Sequence, residues 1–443
     1  MMVRKSPPVL VRPPSPRPAT TTTTGSDTIE LSACDKAFVG IPNTALLVFT
    51  ESIHDPAESI RRALTHALVH YHPLAGRLLR RAEADDDAGS EEVDYYIACT
   101  GEGVSFVAAT TASSIDDVRF FNRSSVATSN GVPLLDDLAV YYPTADGDRP
   151  LVLVQVTEFS CGGFVVGVTW NHAAADGAGM GQFISAVANL ASGLPSPSVL
   201  PVMRQGESLG AVVVHPAPSP SLLDIDRHFR SFDPPPDTAF LDIVIPSSTI
   251  DRVRAMATAM RGQGRTATMF EAVTAVLWQC RTRAVMSVKP EPGAPTVLCF
   301  SADLRRRAGA KDGYYGNLVT LQRAVSTSGE VAGGDIVEVV KIIQHAKDRI
   351  QIPAMSESEK KKKQQEDLDH LFIVTYWRNL GFDQVDFGGG KPARVLSCMR
   401  GPVGPPVNII TGNGEDGSCN VLSRCLKEHA QPLLHQLATF TTT

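Results

Sequence analysis

Apolar residues recur at every third or fourth position in several stretches of the chain, and each such stretch predicts a helix with one buried face. The first helix should begin near Asp55, since Asp55 can cap it and Pro56 suits its first position. It should end before Pro73, because proline cannot continue a helix, and Gly76 marks the turn that follows. Its apolar face consists of Ile60, Leu64, Leu68 and Tyr71.

The same spacing predicts four further helices. One covers residues 183–190, a second starts at about residue 248, and a long one covers residues 336–350. Thr268 followed three residues later by Glu271 forms a capping-box pattern, which predicts that a helix begins there.

Runs rich in β-branched and aromatic residues, bounded by glycine and proline, predict strands. Residues 151–156 and 164–170 are two such runs, and the short turn between them contains two glycines, so they predict a hairpin. An edge strand is expected at residues 8–11, and further strands at 240–245 and 295–300. Helices and strands intermixed in this way indicate an α/β protein.

Proline clusters in one part of the chain and suggests a division into two domains. Residues 195–236 contain 9 of the 31 prolines, a density that neither a regular helix nor a central strand tolerates. We therefore expect an N-terminal domain at 1–194, a proline-rich crossover linker at 195–236 and a C-terminal domain at 237–443.

Composition and charge exclude several classes of protein. Hydrophobic residues make up 43% of the chain, enough for sizeable cores, and 41 basic against 47 acidic residues give a net charge of −6. An acidic balance argues against a nucleic-acid or membrane-surface partner. No C-x-x-C pair, signal-peptide core or run of about 18 apolar residues is present. We therefore expect a cytoplasmic monomer.

One histidine stands in a context suited to catalysis. His172 follows a predicted strand and precedes a glycine-rich segment, predicted as a loop, so its imidazole could face a cleft as a general base. Asp176 could orient the ring or pair with an arginine. The spacing alone favours an ordinary core or surface histidine followed by a helix-capping aspartate, because H-x-x-x-D is a short and loose pattern, and the strand and loop around it leave both interpretations open. A metal site would need a third ligand that no neighbouring residue offers, so none is expected.

Two other motifs carry less information. Ser208 lies in a G-x-S-x-G sequence, but the proline-rich surroundings do not supply the strand and helix that a serine nucleophile elbow needs. The segment from Asp386 to Lys391 is not a phosphate-binding loop, because Lys391 is followed by proline. Its three successive glycines indicate a tight connection beside something that needs backbone room.

Several segments together resemble the BAHD family of plant acyl-CoA-dependent acyltransferases. His172 to Gly177 matches the family's HxxxDG motif, and Asp386 to Gly390 stands in place of DFGWG. The other matching segments are Leu31 to Asp35, Tyr71 to Arg77, Thr268 to Ala272, Ser301 to Arg305 and Tyr314 to Asn317. The resemblance runs from about Leu31 to Leu437, and the order and spacing of the motifs make it specific.

The resemblance implies two α/β domains similar to chloramphenicol acetyltransferase, with a channel at their interface. It implies that His172 takes the proton from an acceptor hydroxyl or amine, which attacks the thioester of acyl-CoA directly. Asp176 and Gly177 would support the site, with Asp176 paired to Arg305, and Asp386, Gly388 and Gly390 would be structural as well. Acyl-CoA would be a co-substrate, with no permanently bound cofactor.

The chain departs from the family pattern at Gly389, where the family has tryptophan. If the indole N–H contributes to stabilising the oxyanion, its loss could lower the rate by about 10²–10³; if it only packs the loop, glycine merely loosens it. Gly389 thus motivates an alternative, a degenerate relative that binds CoA or a small molecule without turnover.

A serine esterase using Ser208 is a third hypothesis. Within the leading hypothesis, an acyl-CoA-dependent acyltransferase, benzoyl or hydroxycinnamoyl donors are expected. Acetyl and malonyl donors stay open, and the acceptor is unassigned.

Overall fold

The computed structural model describes residues 1–14, 28–81, 94–118, 126–128, 133–142, 149–202, 237–259, 266–350, 370–397, 406–413 and 417–442. Most of the predicted linker at 195–236, including Ser208, lies outside these residues, so the domain boundaries and the esterase hypothesis stay predictions.

Seventeen strands are found in the described parts of the chain. They are β1 (Val3–Lys5), β2 (Val9–Val11), β3 (Thr28–Glu30), β4 (Pro42–Phe49), β5 (Arg77–Arg80), β6 (Tyr95–Ala98), β7 (Val104–Thr111), β8 (Val126–Thr128), β9 (Val152–Phe159), β10 (Phe164–Asn171), β11 (Thr238–Ile245), β12 (Pro295–Asp303), β13 (Val319–Thr327), β14 (Leu371–Tyr376), β15 (Arg394–Ser397), β16 (Val407–Asn413) and β17 (Cys419–Leu426).

The same residues form ten α-helices and three short 3₁₀ turns. The helices are α1 (Ala33–Lys36), α2 (Pro56–His70), α3 (Pro133–Asp136), α4 (Gly177–Ala191), α5 (Ser247–Ala259), α6 (Met269–Val288), α7 (Arg305–Ala308), α8 (Ser328–Gly333), α9 (Ile336–Asp348) and α10 (Lys427–Thr442). The 3₁₀ turns are His72–Ala75, Asp116–Val118 and Phe382–Gln384.

Local sequence signals locate most of these elements correctly. Asp55 caps α2 by accepting from the backbone N–H of Glu58, Pro56 is its first residue, and the helix ends before Pro73, as predicted. The capping box of Thr268 and Glu271 at the start of α6 is confirmed. The predicted helices near 248 and 336, the hairpin of β9 and β10, and the strands at 8–11, 240–245 and 295–300 are confirmed as well.

The start of α4 corrects the sequence prediction. The glycine-rich segment expected to be a loop is the first turns of this helix, which begins at Gly177 rather than near residue 183. A Cβ atom on Gly179 would lie 1.8 Å from the carbonyl oxygen of Tyr315, and one on Gly181 would lie 1.9 Å from that of Leu380. The glycines therefore serve close helix packing, and this tertiary contact outweighs their weak helix propensity.

Two seven-stranded sheets organise the α/β fold, with a small third sheet of β3, β6 and β5. The first runs β1-β7-β9-β10-β4-β15, with β2 also paired to β7, and the second runs β13-β12-β14-β16-β17-β11-β8. Helices α2 and α4 pack on the first sheet, while α6 contacts α5, α8, α9 and α10 beside the second. Each sheet thus has its own hydrophobic core.

The two sheets exchange strands. Strand β15 comes from the C-terminal half of the chain yet pairs antiparallel with β4, while β8 comes from the N-terminal half and pairs with β11. Arg394 of β15, which is buried, also pairs with Asp242 of β11. These contacts hold the two halves of the chain together.

Candidate functional site

His172 sits directly after the last residue of β10, at the end of a strand paired on both sides. Its backbone N–H donates to the carbonyl oxygen of Ile41, one residue before β4 begins, at 2.9 Å. The three alanines that follow are fully buried, and the indole N–H of Trp170 donates to the carbonyl oxygen of Ala175 at 3.0 Å. The backbone that carries the imidazole is therefore fixed on both sides of His172.

The imidazole of His172 is held by one aromatic and one polar neighbour. Phe38 stacks on it with ring centroids 4.1 Å apart and an interplanar angle of 17°. On the other half of the chain, Asn317 places its Oδ1 atom 3.1 Å from Nδ1 of His172. The ring therefore has a restricted orientation, set by residues from both halves of the molecule.

The surroundings of His172 also alter its protonation. Burial lowers the pKa of His172 below its usual 6.5, and the nearby charge of Asp176 and the hydrogen bond with Asn317 oppose this shift only in part. The imidazole is consequently neutral at neutral pH, which is the form that can accept a proton.

Asn317 is a site residue that sequence reasoning did not single out. It is fully buried, and its Nδ2 atom donates to the carbonyl oxygen of His172 at 2.8 Å and to Oδ1 of Asp35 at 2.9 Å. Both residues lie in segments that carried the family resemblance, but no role followed from their positions. Their roles can be recognised only from the fold, which brings this buried amide and this buried carboxylate together from distant segments.

Asp176 is completely buried and joins the two halves of the chain through its carboxylate. Arg305 donates to both carboxylate oxygens, at 2.9 Å and 2.8 Å, in the bidentate geometry that gives strong ion pairs. Asp176 also accepts from the backbone N–H of Gly179, as N-cap of α4, and from that of Leu318. The carboxylate thus combines the two functions that the sequence left open, helix capping and pairing with an arginine.

Arg305 is held by more than its partner carboxylate. It donates to the carbonyl oxygens of Tyr314 and Gly316 at 3.2 Å and 2.9 Å, and also contacts Asp303. Burial lowers the pKa of Arg305, but the charge of Asp176 outweighs this effect and leaves it above its usual value. The guanidinium therefore stays charged and connects the HxxxD loop, residues 172–176, to the segment that contains Asn317.

Gly177 lies at the first position of α4, where space is limited. A Cβ atom here would lie 2.6 Å from Cδ1 of Leu380, so a larger residue would displace that side chain. His172, Asp176, Gly177 and Arg305 are therefore brought together around one junction.

The DFGGG loop, residues 386–390, lies elsewhere. Phe387 packs against Phe49 and Phe164, with ring centroids 5.3 Å and 6.2 Å apart. Phe164 is the first residue of β10, whereas His172 follows its last residue, so about seven strand residues, or roughly 23 Å, separate the two ends. The fold does not bring Asp386, Gly388 and Gly390 to His172.

Within the DFGGG loop, Asp386 is exposed and holds the turn together. Its Oδ1 atom accepts from the backbone N–H groups of Gly388 and Gly390 at 2.7 Å and 2.9 Å. Both glycines have positive φ angles, 104° and 111°, which other residues adopt only with strain. Gly389 faces Ile53, 2.8 Å from where its Cβ would lie.

The described residues contain neither a metal-binding cluster nor a membrane-spanning helix. No group of three or more His, Cys, Asp or Glu side chains in this part of the chain is placed to hold a metal ion. No helix in the same residues combines the length and hydrophobicity needed to cross a membrane.

Comparison with known proteins identifies the class to which this fold and site belong. A family model described as the Transferase family matches residues 17–430. Acyl transferase 15 of Oryza sativa subsp. japonica is 41% identical, and the alignment covers 100% of this chain and 99% of that protein. The 3'-N-debenzoyl-2'-deoxytaxol N-benzoyltransferase of Taxus canadensis is 32% identical over 91% of this chain and 87% of its own length.

The solved structure of vinorine synthase has the same fold. It superimposes with a TM-score of 0.69 at 19% identity, covering 99% of this chain and 98% of that one. The chain belongs to the BAHD family of acyltransferases. It is an acyltransferase.

Proposed function

We propose that His172 is the general base of this acyltransferase. The neutral imidazole takes the proton from the hydroxyl or amine of the acceptor, and the freed electron pair attacks the carbonyl carbon of the acyl-CoA thioester. The tetrahedral intermediate then collapses, the C–S bond breaks, and CoA leaves as a thiolate that takes up the proton held by the imidazole. No acyl group becomes attached to the protein.

One observation carries this proposal. His172 is the imidazole at the junction of the two halves, anchored through its backbone to Ile41, stacked on Phe38 and hydrogen-bonded to Asn317. Burial lowers its pKa, which keeps it unprotonated at neutral pH. A base in this position can receive a donor and an acceptor that approach from different sides.

The remaining predicted site residues have supporting roles in the proposal. Asp176, paired with Arg305, and Gly177 hold the HxxxD loop and the start of α4 in place. Asp386, Gly388 and Gly390 stabilise a turn at the other end of the first sheet. The non-catalytic alternative depended on Gly389, whose place beside Ile53 gives no reason to favour it.

The acyl donor that we propose is aromatic, benzoyl or hydroxycinnamoyl. The relative from Taxus canadensis is named as an N-benzoyltransferase, and it matches most of this chain. The acceptor, whether alcohol or amine, is left to experiment. We further propose that the protein is a monomer located in the cytoplasm. The acidic balance of the sequence argues against nucleic-acid and membrane partners.

A screen of acyl-CoAs against acceptor alcohols and amines, read by mass spectrometry, tests the proposed function. Benzoyl-CoA and hydroxycinnamoyl-CoAs are expected to give acylated products, with acetyl-CoA and malonyl-CoA as comparison donors. Because the acceptor attacks the thioester directly, free CoA should be released only when acceptor is present. A burst of one equivalent of CoA per enzyme without acceptor would establish an acyl-enzyme and overturn the mechanism.

A further inference from the structure

We propose that Asn317, oriented by Asp35 and by the carbonyl oxygen of His172, fixes the tautomer of His172, so that Nδ1 carries the hydrogen and Nε2 is the nitrogen that accepts the proton. This inference rests on the proposed function of His172 and deepens it. Asn317 is then a positioning residue that acts through His172 and contacts neither substrate.

The first step is the orientation of the Asn317 amide. One side of the amide faces two oxygen atoms, Oδ1 of Asp35 at 2.9 Å and the carbonyl oxygen of His172 at 2.8 Å. A carbonyl oxygen only accepts hydrogen bonds, so the group facing it must be the NH₂ of the amide. The reversed amide would place its oxygen against both of these acceptors, and this repulsion excludes it.

The second step is the anchoring of Asp35 itself. Its side chain is 5% exposed, and its Oδ2 atom is held by the backbone N–H of Ser32 at 2.8 Å and by the Ser32 hydroxyl at 2.6 Å. Its Oδ1 atom accepts from the backbone N–H of Asn317 at 3.2 Å as well as from the amide. A backbone N–H can only donate, so Oδ1 is committed as an acceptor facing Asn317.

The third step transfers this orientation to the imidazole. With the NH₂ committed, the oxygen of the Asn317 amide is the atom 3.1 Å from Nδ1 of His172. This oxygen can only accept, so Nδ1 must donate and therefore carries the hydrogen of the neutral ring. Nε2 is left with its lone pair and becomes the base. The stacked ring of Phe38 limits rotation of the imidazole, which preserves this assignment.

The experiment reads the tautomer directly, by ¹⁵N NMR of histidine-labelled full-length protein, with His172→Ala identifying the signal of His172. In the native protein His172 should be in the Nδ1–H form. In Asn317→Leu no acceptor faces Nδ1 of His172, so both tautomers should be populated. For this variant we expect kcat to fall ~10- to 100-fold, with little change in the KM for acyl-CoA, because part of the enzyme holds the wrong tautomer.

Asp35→Asn is the matched variant that distinguishes positioning from support of the fold. Its amide oxygen can still accept from the backbone N–H of Asn317, and the carbonyl oxygen of His172 still faces the NH₂ of Asn317, so the Nδ1–H form should persist although loss of the buried carboxylate lowers the melting temperature. Ser32→Ala removes one of the two donors that hold Oδ2 of Asp35 and weakens the cap of α1, so it should lower the melting temperature as well.

An unchanged Nδ1–H tautomer with native kcat in Asn317→Leu would overturn the inference, as would an Nε2–H form in the native protein. The NMR readout needs no turnover, so it separates this inference from the proposed function. If His172→Ala retained full activity, the role of His172 as base would fail, whereas the tautomer measurement would still decide the role of Asn317.

Discussion

The HxxxD loop and the DFGGG loop each use one aspartate to hold a glycine-rich backbone, but in opposite surroundings. Asp176 is completely buried, and its carboxylate binds Arg305 and the backbone N–H of Leu318, which lie 129 and 142 positions further along the chain. Asp386 is exposed, and its carboxylate accepts from backbone N–H groups two and four positions away. One aspartate joins the two halves of the molecule, and the other closes a local turn.

This difference explains why two similar motifs should contribute differently to catalysis. The Asp176–Arg305 pair connects the segment that carries His172 to the segment that carries Asn317, and these two residues contact each other. We therefore expect loss of the Asp176–Arg305 pair to change the position of the His172 imidazole. The DFGGG loop packs at the far end of β10 through Phe387, so we expect a change there to have a smaller effect on His172.

Replacing each aspartate in turn should give the largest difference in stability and kcat between the two loops. In Asp176→Asn the largely buried Arg305 loses its charged partner, which should lower the free energy of unfolding by about 3 to 5 kcal/mol and reduce kcat sharply. In Asp386→Asn the amide oxygen can still accept from Gly388 and Gly390, so both quantities should change little. Urea unfolding and steady-state kinetics on the two variants test this, and equal effects would remove the distinction.

Restoring tryptophan at position 389 should have a smaller effect. A side chain here must displace Ile53, whose Cγ2 would be 2.8 Å from the new Cβ, so Gly389→Trp should lower the melting temperature slightly. It should not raise kcat, since the loop does not reach His172. Gly389→Ala, which adds the same Cβ without the indole, is the control. A gain in kcat of about tenfold or more in the tryptophan variant alone would show that the indole acts on the oxyanion after all.

Elements with strong local signals could be predicted from the sequence. The cap and proline at Asp55 and Pro56, and the capping box at Thr268, determine where two helices begin without help from the rest of the fold. The start of α4 could not be predicted in this way. Its glycines favour a loop locally, and only the approach of the backbone at Tyr315 and Leu380 explains why they lie in a helix.

The residues of the candidate site also differ in whether they could be predicted from the sequence. His172 and Asp176 stand in one short motif, and the family resemblance supplied Arg305 as partner of Asp176. Phe38 and Asn317 contact the imidazole from positions 134 residues before it and 145 residues after it, through packing that no spacing in the sequence encodes. In our proposal the tautomer of His172 depends on these contacts rather than on the motif.

The most direct test of the account is the pH dependence of kcat/KM for the native enzyme and for His172→Ala with the same donor and acceptor. We expect native activity to fall with acid along a limb whose pKa lies below 6.5, since burial lowers the pKa of His172 and only the neutral ring accepts a proton. His172→Ala should be about 10²- to 10⁴-fold slower at neutral pH and should lack this limb. A variant that retains the native rate and the native acid limb would contradict the assignment of His172 as the base.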